Sequence, residues 1–328
     1  MTLRALIPAA ALLIGCSLHH RPPVIEPVRA PTRDSLLFLD QTRGDSIAAR
    51  GRVQGLLALM APDVAYLRAG IPAVYGYDAA RALFEVSPGI PGPVPTWQPL
   101  GGGVSRDLRS GYTFGLAAHA ETPKGSLRVD RYIAFWQRAS GVPWRIVAYI
   151  ELNGPSAEEI RFSASQLAPP VRSTPRPVAE VAVRVRTADS SFADLADRMG
   201  TAVAYSSTVA PDGAIFGGSR LIVGPTAVKE FEEAQGAGTS LTWRPVYALA
   251  AESGDLGFTV GESIFTGRSP SGAAVQRFGK YLTVWQRQGD GSWKFVMNGG
   301  NATRWANGER RATPSRLAPI PCDTRAAA

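Results

Sequence analysis

The heptapeptide YIAFWQR at residues 132–138 returns as YLTVWQR at residues 281–287, 149 positions later. One echo of seven residues decides little, but an offset carried across many positions marks a duplicated unit. Asp40, Gly51 and Ala61-Pro62-Asp63 recur as Asp189, Gly200 and Ala210-Pro211-Asp212 at the same spacing. Gly76 and Arg81 recur as Gly224 and Lys229, one position closer. Trp97 and Pro99 return as Trp243 and Pro245, and GYTFG at 111–115 returns as GFTVG at 257–261, 146 positions on. Trp144-Arg145 then match Trp293-Lys294 with the first spacing restored. The small drifts fall where loops are expected, so the chain must fold as two copies of one domain.

Within each copy the pattern changes character once. A helical stretch leads, Asp34 to Leu59 or Asp189 to Tyr205, with Asp34 and Asp189 placed to act as N-caps. A short extended piece and a small helix follow, the latter at Asp78 to Phe84 or Thr226 to Ala234. Four segments with the two-residue alternation of strands complete the unit. They run Thr96–Ser105, Gly111–Glu121, Leu127–Arg138 and Trp144–Asn153, matched by Leu241–Glu252, Leu256–Thr266, Val275–Gln288 and Ser292–Asn298. Helices first and a run of strands after predict an α+β fold. The helices bury their apolar side only by lying across one face of a curved antiparallel sheet, which predicts two tandem cones, each with a hollow at its open end. Gly101-Gly102-Gly103 lies inside a predicted strand and reads as a bulge or bend, not a phosphate loop.

The flanks set the remaining boundaries. Residues 1–16, MTLRALIPAAALLIGC, combine one positive charge, an apolar run too short to span a bilayer, and Leu13-Ile14-Gly15-Cys16. That ending resembles a bacterial lipoprotein lipobox, which implies acylation of Cys16 and a place in the cell envelope. Ser17 in the next position favours the outer membrane, facing the periplasm. Residues 17–33 read as a proline-rich tether, 34–153 as the first domain, 154–184 as a proline-rich linker, 185–303 as the second domain and 304–328 as a disordered tail.

Several functions are disfavoured by what the chain carries. Net charge is +8, but the 35 Lys and Arg are scattered with no dense basic run, so nucleic acid is not an expected partner. With Cys16 acylated, Cys322 has no cysteine to pair with, and the fold is held by its cores. Only His19, His20 and His119 exist and no metal-ligand spacing occurs, so neither a metal nor a cofactor is expected.

The second copy resembles a known family on two stretches: SGDLGFTVG at 253–261, and GKYLTVWQRQGDGSWKFVMNGGN at 279–301. Both are similar to the SnoaL-like branch of the nuclear transport factor 2 superfamily, and FADLADRMGTAVAYSSTVAPDGAIF at 192–216 fits the helices of the same family. The resemblance implies a curved sheet wrapped by helices around a pocket, in a superfamily that includes isomerases, cyclases and dehydratases. Where such sequences usually carry an acidic residue near the end of the last strand, this chain has Asn298, which cannot act as a base.

Candidate site residues follow from facing. Glu262 alternates with Phe258, Val260 and Ile264, so it is either a carboxylate on an apolar pocket face, with Tyr205, Tyr281 and Asn298 as partners, or a residue on an exposed face. In the first copy His119 could act as a base oriented by Glu151, beside Tyr132 and Tyr149, or be a surface histidine. Asp63 and Asp212 read as turn residues, and the repeated Trp136, Trp144, Trp285 and Trp293 as core. The sequence therefore predicts a lipid-anchored protein that binds a small apolar molecule or serves as an assembly module without catalysis, its two domains paired within the chain. The alternatives are an isomerase, cyclase or dehydratase using Glu262 or His119, and a structural role in the envelope.

Overall fold

The computed structural model describes residues 33–86, 96–120, 127–152, 177–217, 220–235, 238–269 and 271–303. The leader with Cys16, the tether up to residue 32, the linker up to residue 176 and the C-terminal tail lie outside the described residues. In the first copy α1 (Arg33–Arg50) and α2 (Arg52–Leu57) precede β1 (Met60–Leu67), β2 (Val74–Tyr75) and α3 (Tyr77–Val86). Four strands then follow: β3 (Thr96–Val104), β4 (Ser110–Ala120), β5 (Leu127–Gln137) and β6 (Arg145–Leu152). The second copy repeats this order with α4 (Val178–Met199), α5 (Thr201–Thr208), β7 (Val209–Gly217), β8 (Arg220–Val223) and α6 (Pro225–Glu233). Its strands are β9 (Ser240–Ala250), β10 (Leu256–Arg268), β11 (Ala274–Arg287) and β12 (Trp293–Thr303).

The leading helical stretch of each copy is broken at the same place. Gly51 and Gly200 both take φ 84°, a conformation that residues with a Cβ rarely adopt, and the chain changes direction there. Asp189 is not an N-cap. The helix α4 starts at Val178, after Pro177, and runs through Asp189 to Met199. It buries Val181, Val185, Phe192 and Ala196, a stripe with helical spacing whose first member, Val181, falls in the stretch read from sequence as linker.

Each copy builds a six-stranded sheet, in the orders β2-β1-β6-β5-β4-β3 and β8-β7-β12-β11-β10-β9. The sheets are mixed instead of wholly antiparallel, because β1 runs parallel to β6 and β7 runs parallel to β12. This pairing joins the extended piece after the helices to the last strand of its copy, a contact that local sequence pattern does not record. The triple glycine does lie at a bulge, between Pro99 and Gly101, where the Phe114 ring packs over the strand.

Alternation along the strands sorts side chains into three cores. Tyr132, Ala134 and Trp136 join the helix-side core of the first copy, with Leu36, Ile47, Phe84, Trp97 and Tyr149. Trp285 and Phe295 join the equivalent core of the second, with Val185, Phe192 and Tyr205. The opposite sheet faces meet each other: Phe114, Ile133 and Phe135 share a core with Phe258, Val260, Leu282 and Val284. Phe135 lies 4.7 Å from Phe258 and Phe114 lies 6.1 Å from Phe216, centroid to centroid. Two hairpin turns close one edge of this contact. The Arg106 amide donates to Asp255 at 3.0 Å, the Ser253 amide donates to Asp107 at 2.9 Å, and Arg109 pairs with Glu252 at 2.9 Å.

Candidate functional site

Each helix-side core is organised around one buried carboxyl group. Asp40, on α1, accepts from the indole N–H of Trp97 at 2.9 Å and the hydroxyl of Tyr132 at 2.7 Å. Thr113 also bonds to it, and the Thr113 hydroxyl accepts in turn from the Trp136 indole at 2.8 Å. Asp189, on α4, repeats the arrangement with Trp243 at 3.0 Å, Tyr281 at 3.0 Å and Thr259, whose hydroxyl accepts from Trp285 at 2.9 Å. Neither Asp is exposed to solvent. Burial pushes both carboxyls up from 3.8 to about 6, and the donated hydrogen bonds hold them from rising further. Desolvation and the neighbouring carboxyls push the Tyr132 and Tyr281 hydroxyls well above their usual range, so these groups stay protonated as donors.

These networks tie helix to sheet; they do not line an open hollow. In the first copy the space beside Asp40 is filled by aromatic rings: Trp97 lies 4.3 Å from Tyr132, Tyr149 stacks 5.9 Å from both, and Tyr66 stacks 5.3 Å from Phe84. In the second, Phe192 packs 4.8 Å from Tyr205 and 4.6 Å from Trp243. The hollow expected at each cone is therefore occupied by side chains that the strands and leading helices contribute themselves.

The residues singled out from sequence fall into three places. Tyr132 and Tyr149 belong to the stack beside Asp40, and Tyr205 and Tyr281 belong to the cluster around Asp189, where burial raises the Tyr205 hydroxyl. Asn298 occupies the position of Tyr149 and donates to the Thr283 hydroxyl at 2.7 Å. None of these three second-copy residues partners Glu262. Glu262 does share a face with Phe258 and Val260, but that face is the one turned toward the first copy, and its carboxylate is half-exposed and paired with Arg244 at 2.9 Å. Alternation identified its neighbours correctly and could not say which face the helices cover.

Glu151 is buried and accepts from the Tyr66 hydroxyl at 2.7 Å. The side chain of His119 lies outside the described residues; its backbone pairs with Arg128. The β4 residue in register with Tyr132 and Glu151 is Gly115, so His119 sits four strand positions away, about 13 Å at ~3.3 Å per residue. Its pairing with Glu151 is not supported by that register. Asp63 is exposed and Asp212 half-buried, each at the bulged start of a strand.

Lys280 is buried where the two copies meet. Lys280 donates to Asn301 at 2.5 Å and Thr303 at 3.3 Å, and Asn301 donates to the carbonyls of Leu67 and Glu151 in the first copy. Desolvation lowers the Lys280 ammonium to about 7, against the attraction of Glu151. Among the described residues no group of three or more His, Cys, Asp or Glu converges to hold a metal, and no helix is long and apolar enough to cross a membrane.

Sequence reasoning passed over Asp40 and Asp189 as members of a site, although it recorded both as landmarks of the repeat. The signal was present: Asp, Trp, Thr, Tyr and Trp are identical in both copies at 40, 97, 113, 132 and 136 and at 189, 243, 259, 281 and 285. Polar residues that survive duplication unchanged among apolar ones point to a shared hydrogen-bonded network.

No family model matches the sequence, and no curated protein matches it. Solved structures similar to it include a ketosteroid isomerase-like protein from Erwinia carotovora atroseptica, 16% identical with a TM-score of 0.34, over 38% of this chain and 96% of that one. An NTF2-like protein with a cystatin-like fold from Novosphingobium aromaticivorans is 19% identical with a TM-score of 0.31, over 40% of this chain and 85% of that one. Aln2 from Streptomyces sp. is 16% identical with a TM-score of 0.32, over 38% and 93%. The chain is an α+β protein of two tandem copies. Likeness at this level concerns fold, and chemistry must be argued from the residues.

Proposed function

We propose that this protein is a binding module without catalysis, formed by two paired SnoaL-like copies and held at the cell envelope by lipid on Cys16. The observation that carries the reading is the closure of both helix-side cores around Asp40 and Asp189. The carboxyls best placed by burial for proton transfer have their oxygens taken by indole, phenol and threonine donors, with aromatic rings where a substrate would need to sit. A general base must reach the proton it abstracts, and these two reach only their own fold. The Leu13-Ile14-Gly15-Cys16 ending supports the anchor, and Ser17 supports outer-membrane sorting.

Native mass spectrometry of the purified full chain tests the binding part. A small molecule that co-purifies and is released chemically unchanged after prolonged incubation supports the reading; conversion of that molecule into a product overturns it. Palmitate labelling in cells tests the anchor: label in the parent and none in Cys16→Ser is expected, and label retained by Cys16→Ser contradicts it.

A further inference from the structure

Next to the closed core of the second copy lies an open groove of about 460 Å³, between α4 and the turns that end β9 and β11. That size is in the range of small-ligand sites, about 300–1,000 Å³. Its apolar wall includes Phe192, Leu195 and the half-buried Trp293, and its cations are Arg184, Arg287 and Lys294, with no carboxylate among the lining residues. Two of the cations are engaged. Arg184 pairs with Glu180 at 2.9 Å, and Lys294 donates to the Ser207 carbonyl and lies near Asp290. The guanidinium of Arg287 has no hydrogen-bond or ion-pair partner among the described residues.

The first copy shows how the same residues look when the space is used up. Arg138, the counterpart of Arg287, stacks 5.0 Å over Trp144 and donates to the Leu108 carbonyl at 3.1 Å. Leu108 itself packs onto the first core at the position that Gly254 occupies in the second. Trp144 is 6% exposed, whereas its counterpart Trp293 is half-buried. With Gly in place of Leu, the groove is lined by Gly254, Arg287 and Trp293 together.

We infer that this groove binds a singly charged carboxylate with an apolar body, its carboxylate on Arg287 and its body along Trp293 and Leu195. One unpartnered cation balances one negative charge, and an arginine fork matches a carboxylate through two parallel hydrogen bonds. The inference rests on the binding-module reading and names its site and ligand class.

Calorimetric titration of the full chain carrying Cys16→Ser, with laurate below its micellar concentration and dodecanol as the uncharged control, tests it. Laurate is expected to bind at least about tenfold more tightly than dodecanol, since only the carboxylate can accept charge-assisted hydrogen bonds from the guanidinium. Arg287→Gln should bring laurate down to the level of dodecanol with thermal stability unchanged, and Gly254→Leu should reduce binding of both. Equal binding of the two probes, an Arg287→Gln protein that still prefers laurate, or no binding of laurate overturns the assignment. Should Gly254→Leu fail to fold, Arg287→Gln decides alone. A co-purifying molecule that persists in Arg287→Gln would leave the binding-module reading standing while this site falls.

Discussion

The two copies hold the same polar network and differ in what surrounds it. Around Asp40 the first copy places Tyr66, Phe84, Tyr149 and Glu151; the second has Ile215, Glu232, Asn298 and Gly300 at the matching positions. At the groove the first copy has Leu108 and a stacked arginine where the second has Gly254 and an open one. The difference teaches that the Asp–Trp–Tyr–Thr–Trp set belongs to the scaffold, since it persists where the surroundings have changed. Binding, on this account, arises from positions where the second copy has lost side-chain volume.

The largest effects should come from the network itself. Asp40→Ala leaves three buried donors without their acceptor and is expected to cost about 3–5 kcal/mol by urea unfolding, because each unsatisfied group costs ~1–3 kcal/mol. Asp189→Ala should cost about 1 kcal/mol less, since Trp243 is half-buried and water can reach its indole. A larger loss at Asp189 than at Asp40 would break the comparison.

Exchanging the surroundings comes next. Tyr149→Asn removes a ring from a filled stack and should cost about 2–4 kcal/mol, whereas Asn298→Tyr adds volume to a packed core and should cost about 1–3 kcal/mol. If Asn298→Tyr proved stabilising, the second core would contain a hollow after all.

The pH dependence sharpens the comparison further. Folding raises the two carboxyls from 3.8 to about 6, so between those values the native chain holds protons that the unfolded chain has released. Their stabilising contribution is complete below the unfolded value and drains away as pH climbs through the folded one. From about pH 4.5 to about pH 7 each site should lose about 2 kcal/mol, and Asp40→Asn or Asp189→Asn should each remove its own share of that slope. Parallel slopes in parent and variants would contradict it. Lys280 acts in the opposite sense: lowered from 10.5 to about 7, it releases its proton earlier when folded, so stability rises across that window and Lys280→Met should flatten the rise. The smallest effect is at the surface, where Arg109→Ala should cost less than about 1 kcal/mol because the Arg109–Glu252 pair is exposed to water.

Much of the architecture was legible in the repeat. The strands around GYTFG and YIAFWQR were placed within one or two residues, because alternation and duplication agree there. Two features were not legible. The parallel pairing of β1 with β6 joins segments far apart in sequence, and nothing local records it. The start of α4 lay hidden because Pro177 and its neighbours read as linker, although Val181, Val185 and Phe192 carry the helical stripe.

The site was harder to read for a physical reason. Strand alternation groups residues by face but does not name the face, so Glu262 groups with Phe258 and Val260 while pocket and exposed face both stay open; the structure turns that face toward the other copy and leaves the carboxylate half-exposed. Tyr132, Tyr149, Tyr205 and Tyr281 were picked out as pocket residues, and the structure places them around Asp40 and Asp189, which helical periodicity alone does not mark as interior. The groove depends on Gly254, a residue whose meaning appears only beside Leu108.

Exchange of the tryptophan indole hydrogens, followed by NMR and assigned with single Trp→Phe variants, tests most directly whether both cones are closed. Closure predicts that the indole N–H groups of Trp97, Trp136 and Trp285 exchange only through global unfolding, while that of Trp293 exchanges at once. Rapid exchange at Trp97 or Trp285 in the native state would show solvent inside the cones and would contradict the account.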